Sequence, residues 1–170
     1  MGQEVGEYLM VRGGNAVIFC FGFERQLGIR RGSLLLVVDD YQDTLDALVR
    51  ILRLEGYEAA GASSAQEAMS FLGANTPSLV VLDYNMGDTD GLTVFADMKK
   101  DPRLAKIPVI MFSANDDRVK EMALRAGVDA YVKKGSLDWG ELHREIIRLV
   151  GVGKPARVEE KQNSRAKDVG

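Results

Sequence analysis

The chain has 170 residues, 46% of them apolar, which is enough for one domain with a single buried core plus tails. Net charge is −3, but residues 33–150 hold 13 basic and 19 acidic side chains, and an acidic centre argues against nucleic-acid binding. One cysteine, Cys20, excludes an internal disulfide and fits a reducing compartment such as the cytoplasm.

Residues 1–32 read as an N-terminal extension, disordered or loosely packed, with an extra edge strand as the ordered alternative. The apolar run over 16–23 is far too short to span a bilayer. Glu4 and Glu7 spoil the basic start that a signal peptide needs. No membrane insertion is expected. Residues 151–170 hold Lys154, Pro155, Arg157, Glu159, Glu160 and Lys161 among few apolar side chains, and they read as a disordered polar tail.

Between the tails, residues 33–150 alternate strand-like runs with helical periods. Leu34–Val38 is a continuous apolar strand. Leu45, Leu48, Val49 and Leu52 recur at helical spacing, and Gly56 stops them. A weak strand follows over 57–61. Ser64 caps a helix whose face is Ala65, Ala68, Met69 and Leu72, ending at Gly73. Leu79–Leu82 is the next buried strand, then a turn-rich loop over 85–91 and a helix carrying Val94, Phe95 and Met98 that stops before Pro102. A strand over 107–113 leads to a helix with Val119, Met122, Ala123 and Ala126, closed by Gly127. A strand over 129–133 leads to the last helix, with Trp139, Leu142, Ile146 and Leu149 on one face. Near-continuous apolar strands joined by helical crossovers predict a five-stranded parallel sheet covered on both faces, a doubly wound α/β fold.

The strand ends carry the chemistry. Parallel sheets present their active residues beyond the C-terminal ends of the strands. The first strand ends in Asp39–Asp40, the third in Asp83, the fourth in Ser113 and the fifth in Lys133–Lys134. Adjacent acids, a serine or a lysine pair are each ordinary surface residues alone; the set in this order is far more specific. Asp39, Asp40 and Asp83 offer the oxygen-rich acidic pocket that a hard divalent ion such as Mg²⁺ or Mn²⁺ prefers. A lysine and the Ser113 hydroxyl could then neutralise and bind a group transferred to Asp83.

The core resembles the receiver domain of two-component response regulators. The resemblance runs over 33–150, through Leu36-Val37-Val38-Asp39-Asp40, Val80-Val81-Leu82-Asp83-Tyr84-Asn85-Met86, Asp90-Gly91, Val109-Ile110-Met111-Phe112-Ser113-Ala114 and Gly127-Val128-Asp129-Ala130-Tyr131-Val132-Lys133-Lys134. It implies the flavodoxin-like strand order 2-1-3-4-5. It also implies Asp83 as phosphoacceptor, and Asp39, Asp40 and the Asn85 backbone carbonyl as further metal ligands. It selects Lys134 over Lys133, with Ser113 and Tyr131 as the switch pair. The implied partners are a histidine kinase or histidine phosphotransfer protein as donor, and a downstream protein as receiver of the signal. Such a domain catalyses only its own phosphorylation and dephosphorylation.

Three departures stand out. Gly87 follows Met86 where the family often has proline, which predicts a looser loop. Gly135 follows Lys134 where the family carries proline after a cis bond, so either a trans bond repositions Lys134 or neighbours hold strain. No output domain is recognisable after Val150. Other classes fit less well. A haloacid dehalogenase-type aspartyl-phosphate hydrolase needs a second Asp two residues after the first, and Asn85 stands there. A flavodoxin-like cofactor binder needs a phosphate-cradling loop where Asp39-Asp40-Tyr41-Gln42 is acidic. A receiver-like module that binds a partner without phosphorylation is the remaining alternative. His143, without a second ligand nearby, reads as an ordinary helix residue.

Overall fold

The structure, a computed structural model, describes residues 33–151 except 88, 115, 116 and 136–138, together with the backbone of 8–12 and 15–19. Strands Tyr8–Arg12 (β1) and Asn15–Phe19 (β2) pair with each other, antiparallel, in a sheet of their own. The remainder of the predicted N-terminal extension, Cys20 included, and the tail after Gly151 lie outside the described residues.

The core begins with Leu34–Val38 (β3), then helix Gln42–Leu54 (α1), Glu58–Ala62 (β4) and helix Ala65–Ala74 (α2). Leu79–Leu82 (β5) leads through the short strands Asn85–Met86 (β6) and Thr89–Asp90 (β7) into helix Gly91–Lys100 (α3). Val109–Ser113 (β8), helix Asp117–Ala126 (α4), Ala130–Lys133 (β9) and helix Trp139–Val150 (α5) complete it. The main sheet is parallel with order β4-β3-β5-β8-β9, which is 2-1-3-4-5 when its five strands are counted alone. This is the doubly wound, flavodoxin-like arrangement.

Alternation along each strand divides the core in two. Leu36, Val38, Val80, Leu82, Val109 and Met111 pack under Ala68, Leu72, Val94, Phe95, Met98 and Ala123. On the other face Leu35, Val37, Leu79, Val81 and Ile110 meet Leu45, Leu48 and Leu52 of α1 and Leu142 and Ile146 of α5. With both faces filled, the sheet can offer polar chemistry only at its rims.

Several boundaries differ from the sequence reading. The weak strand is displaced to 58–62, because Tyr57 still closes α1 by donating its N–H to the Leu52 carbonyl. β8 begins at Val109, since Ile107 is taken up in a turn onto the Leu104 carbonyl and Pro108 has no N–H for the ladder. Asp129 belongs to the approach to β9, where its carboxylate accepts the Val109 N–H at 2.9 Å. Gly73 does not end α2. The helix runs on to Ala74 and stops at Asn75, whose backbone and side-chain amides both donate to the Phe71 carbonyl. On α4 only Ala123 is buried, and Met122 lies 47% exposed instead of on a buried face. The Ser64 cap is present, with Glu67 N–H donating to Oγ at 3.1 Å.

Candidate functional site

Register sets the site. Val38 stands opposite Leu82 across the β3–β5 pair, and the Asp83 N–H donates to the Val38 carbonyl at 2.9 Å. Asp39 and Asp83, one residue beyond those partners, therefore emerge side by side. On the far side of β5, Ser113 stands opposite Lys133, and the Lys134 N–H donates to the Ser113 carbonyl at 2.8 Å. All four of the predicted strand ends reach the same rim.

Asp39, Asp83 and Ser113 are buried there, and Asp40 is exposed. Asp39, Asp40 and Asp83 each present a carboxylate oxygen within 4.8 Å of the others. The Lys134 ammonium bridges two of them, donating to Asp39 Oδ2 at 2.5 Å and to Asp83 Oδ2 at 2.7 Å. Burial pushes the Asp39 carboxyl above its ordinary range; Lys134 and the Tyr41 N–H, 3.0 Å from Oδ1, pull it back, and the Asp83 charge opposes them.

Asp83 Oδ1 is buried and has no hydrogen-bond partner. Buried polar atoms are rarely left so, and each one that is calls for an explanation, such as a bound ion or water or a reactive role; His143 Nε2, on α5, is the other among the described residues. An oxygen-only donor set with one unpartnered buried carboxylate oxygen fits a hard divalent cation, and it equally fits an electrophile arriving at Asp83. Among the described residues this is the one group of three or more metal-ligating side chains.

The remaining predicted residues take secondary positions. Lys133 is exposed and makes none of these contacts, so the ammonium of the site is that of Lys134. Asn85 lies on β6, its side chain exposed, paired with Asp90 of β7. Tyr131, half-buried, packs against the core cluster that includes Val94, Phe95 and Met111. The Lys134–Gly135 bond is trans, and Lys134 still reaches both acids. Gly87, at φ 60°, turns the chain between β6 and β7, a backbone angle that proline cannot adopt.

Two contacts had no counterpart in the sequence reading. A Cβ on Gly91 would lie 2.3 Å from the Asp83 carbonyl oxygen, and the Gly91 N–H donates to the Tyr84 carbonyl at 2.7 Å. The Phe112 ring lies under the Lys134 ammonium, 5.7 Å from its centroid. The Asp90–Gly91 pair was visible as a motif, but its reason, a backbone approach, has no sequence signal of its own.

Comparison with known proteins agrees with this geometry. Residues 35–147 match the family model of the response regulator receiver domain. The transcriptional regulatory protein PrrA of Mycobacterium bovis is 41% identical over 103 residues, 59% of this chain and 42% of PrrA. The chain thus spans less than half of that relative. A 14.6 kDa protein of Leptolyngbya boryana is 36% identical over 119 residues, 68% of this chain and 86% of its own. Among solved structures, response regulator TrrA of Thermotoga maritima, in complex with Mg²⁺ and BeF, superposes with a TM-score of 0.63 at 29% identity, covering 69% of this chain and 99% of that one. With the family model matched over about two thirds of its length and the strand order of such a domain, the chain belongs to the response regulator receiver domain family.

Proposed function

We propose that this receiver domain is a phosphoacceptor switch that takes a phosphoryl group onto Asp83 from a phosphohistidine on a histidine kinase or histidine phosphotransfer protein. The observation that carries the reading is the asymmetry of Asp83: Oδ2 is held by Lys134 while Oδ1, buried, is without a partner. In the transfer an Asp83 carboxylate oxygen attacks phosphorus and an O–P bond forms. The P–N bond breaks, its electron pair stays on the donor imidazole nitrogen, and that nitrogen takes up a proton from solvent. Lys134, already at hydrogen-bond distance from Asp83, donates to the phosphoryl oxygens as their charge arrives.

Asp39, Asp40, Asp83 and the Asn85 backbone carbonyl would hold Mg²⁺ or Mn²⁺, which supplies positive charge against the repulsion between acceptor carboxylate and phosphoryl oxygens. Ser113, fully buried at the end of β8, reaches a phosphoryl oxygen only if its loop moves inward, and Tyr131 on the neighbouring strand then turns into the space left. That change alters the face formed by α4, β9 and α5. A downstream partner reading this face gains the difference in its affinity for the two arrangements, typically about 1–3 kcal/mol. Onward relay of the phosphoryl group would use the same anhydride. The domain catalyses its own phosphorylation and dephosphorylation and turns over no separate substrate.

The test is incubation with Mg²⁺ and acetyl phosphate, followed by intact-mass analysis and peptide mapping. One phosphoryl group on Asp83, absent from a folded Asp83→Asn variant, is the expected result. A folded, metal-supplied protein that stays unmodified, or an adduct on Asp39 or Asp40, would overturn the reading in favour of a partner-binding module or a different acceptor.

A further inference from the structure

A lysine ammonium sits on a flexible four-carbon stem, so some feature of the fold must aim it. The backbone on one side of Lys134 is tied, since its N–H donates to the Ser113 carbonyl. On the other side stands Gly135, whose N–H donates to the Lys133 carbonyl at 2.9 Å but which has no side chain to pack against the fold. The two carboxylates attract the ammonium but do not orient the stem. Moreover, one of them is the group whose charge and shape change when Asp83 reacts.

The sheet supplies a third contact. Phe112 stands opposite Val132 across the β8–β9 pair, and Lys134 lies two residues beyond Val132. Residues at i and j+2 across two strands share a face and sit diagonally, within reach of an aromatic ring and a long side chain. The Phe112 ring is half-buried against the core cluster that includes Val132, Leu142 and Ile146, so its position is set by packing. Its face lies 5.7 Å from the Lys134 Nζ, within the range where ring and cation attract. The lysine side chain is 18% exposed, and partial removal from water strengthens the attraction.

We propose that Phe112 is a positioning residue for the transfer to Asp83, its ring holding the Lys134 ammonium over the acidic pair while Asp83 changes partner. The ring is neutral and touches neither acid's hydrogen bonds, so it can keep Lys134 at the site when Asp83 Oδ2 ceases to be its acceptor. This rests on Asp83 being the phosphoacceptor.

The experiment compares initial rates of phosphorylation by acetyl phosphate, with Mg²⁺, in the parent, Phe112→Leu, Phe112→Tyr, Lys134→Ala and the Phe112→Leu/Lys134→Ala double variant of the full chain. Phe112→Leu should lose about threefold to tenfold, and Phe112→Tyr, which keeps the ring, should recover most of it. In the Lys134→Ala background the leucine substitution should cost nothing further. An equal loss in both backgrounds, or a tyrosine variant no better than leucine, would make Phe112 a packing residue only and overturn the proposal. A second measurement needs no phosphorylation. The ¹⁵N-labelled Lys134 ammonium should show slowly exchanging protons in the parent and in Phe112→Tyr but not in Phe112→Leu, and the same signal in all three would also overturn it. Were the parent not to accept phosphoryl at all, the rates would refute the function while the ammonium signal would still decide the aim of Lys134.

Discussion

At the scale of single residues, three carboxylates and one ammonium share the rim of the sheet. Lys134 can contact two of the acids at once, and both of its bonds go to Asp39 and Asp83. Asp40 is exposed, and no shared bond ties it to the lysine. Removing it should therefore disturb the metal-free fold little, while removing a cation ligand. With Mg²⁺ at a hundred times its Kd, binding stabilises the folded state by about 2.7 kcal/mol; a tenfold weaker site at the same concentration yields about 1.4 kcal/mol. We expect Asp40→Ala to melt close to the parent in chelator and to gain clearly less on titration with Mg²⁺. Thermal melts across an Mg²⁺ series measure both, and equal gains in the two proteins would remove Asp40 from the cation site.

At the scale of elements, the segment from Asp83 to Gly91 is a loop closed on itself. Its ends meet where Gly91 lies against the Asp83 carbonyl and donates to that of Tyr84, and the Asp90 carboxylate caps α3 by accepting the Thr93 N–H at 2.8 Å. Elsewhere in a helix, Gly→Ala is favourable by about 0.5–1 kcal/mol. Gly73, inside α2 with open space around it, should follow that rule. Gly91→Ala should do the opposite, losing about 1–3 kcal/mol, because the added methyl collides with backbone that cannot swing aside. The same push displaces Asp83 and slows its phosphorylation. Urea melts of the two alanine variants test the contrast, and a stabilised Gly91→Ala would refute the close approach. The apolar runs made the strand ends, and with them Asp39–Asp40, Asp83, Ser113 and the pair Lys133–Lys134, legible from sequence, since a parallel sheet brings such ends to one rim; only the family resemblance chose Lys134 from that pair. Close contacts were not legible. The glycine against Asp83, the ring beneath Lys134 and the Asn75 stop of α2 depend on which backbone or side chain lies opposite, and no local pattern encodes that. Periodicity likewise marked Met122 as inward-facing on α4, where the helix covers too little of the sheet to bury it.

At the scale of the whole molecule, α5 is fastened to the opposite end of the chain's core by an aromatic cluster away from the acidic rim. The His143 ring stacks on Trp139 at 5.1 Å and meets Tyr57 edge-on at 6.5 Å, and the Tyr57 hydroxyl donates to the Gly151 carbonyl at 2.7 Å. Among the described residues the acid paired with the imidazole is Glu55, at the end of α1, with Oε2 3.9 Å from Nε2. Burial lowers the His143 pKa from its ordinary 6.5, and Glu55 only partly restores it. The unfolded chain therefore binds a proton as pH falls below 6.5, before the folded one does. The contribution of His143 to stability is complete above that pH, declines as pH falls toward the folded-state pKa, and levels off beneath it. His143→Phe keeps the stack on Trp139 and cannot titrate, so its melting temperature should fall less than the parent's between about pH 7 and pH 5, while the carboxylates contribute equally to both. Parallel melts over this range decide it. If the two curves keep a constant separation, the imidazole carries no proton-linked share of the stability that holds α5 to the sheet.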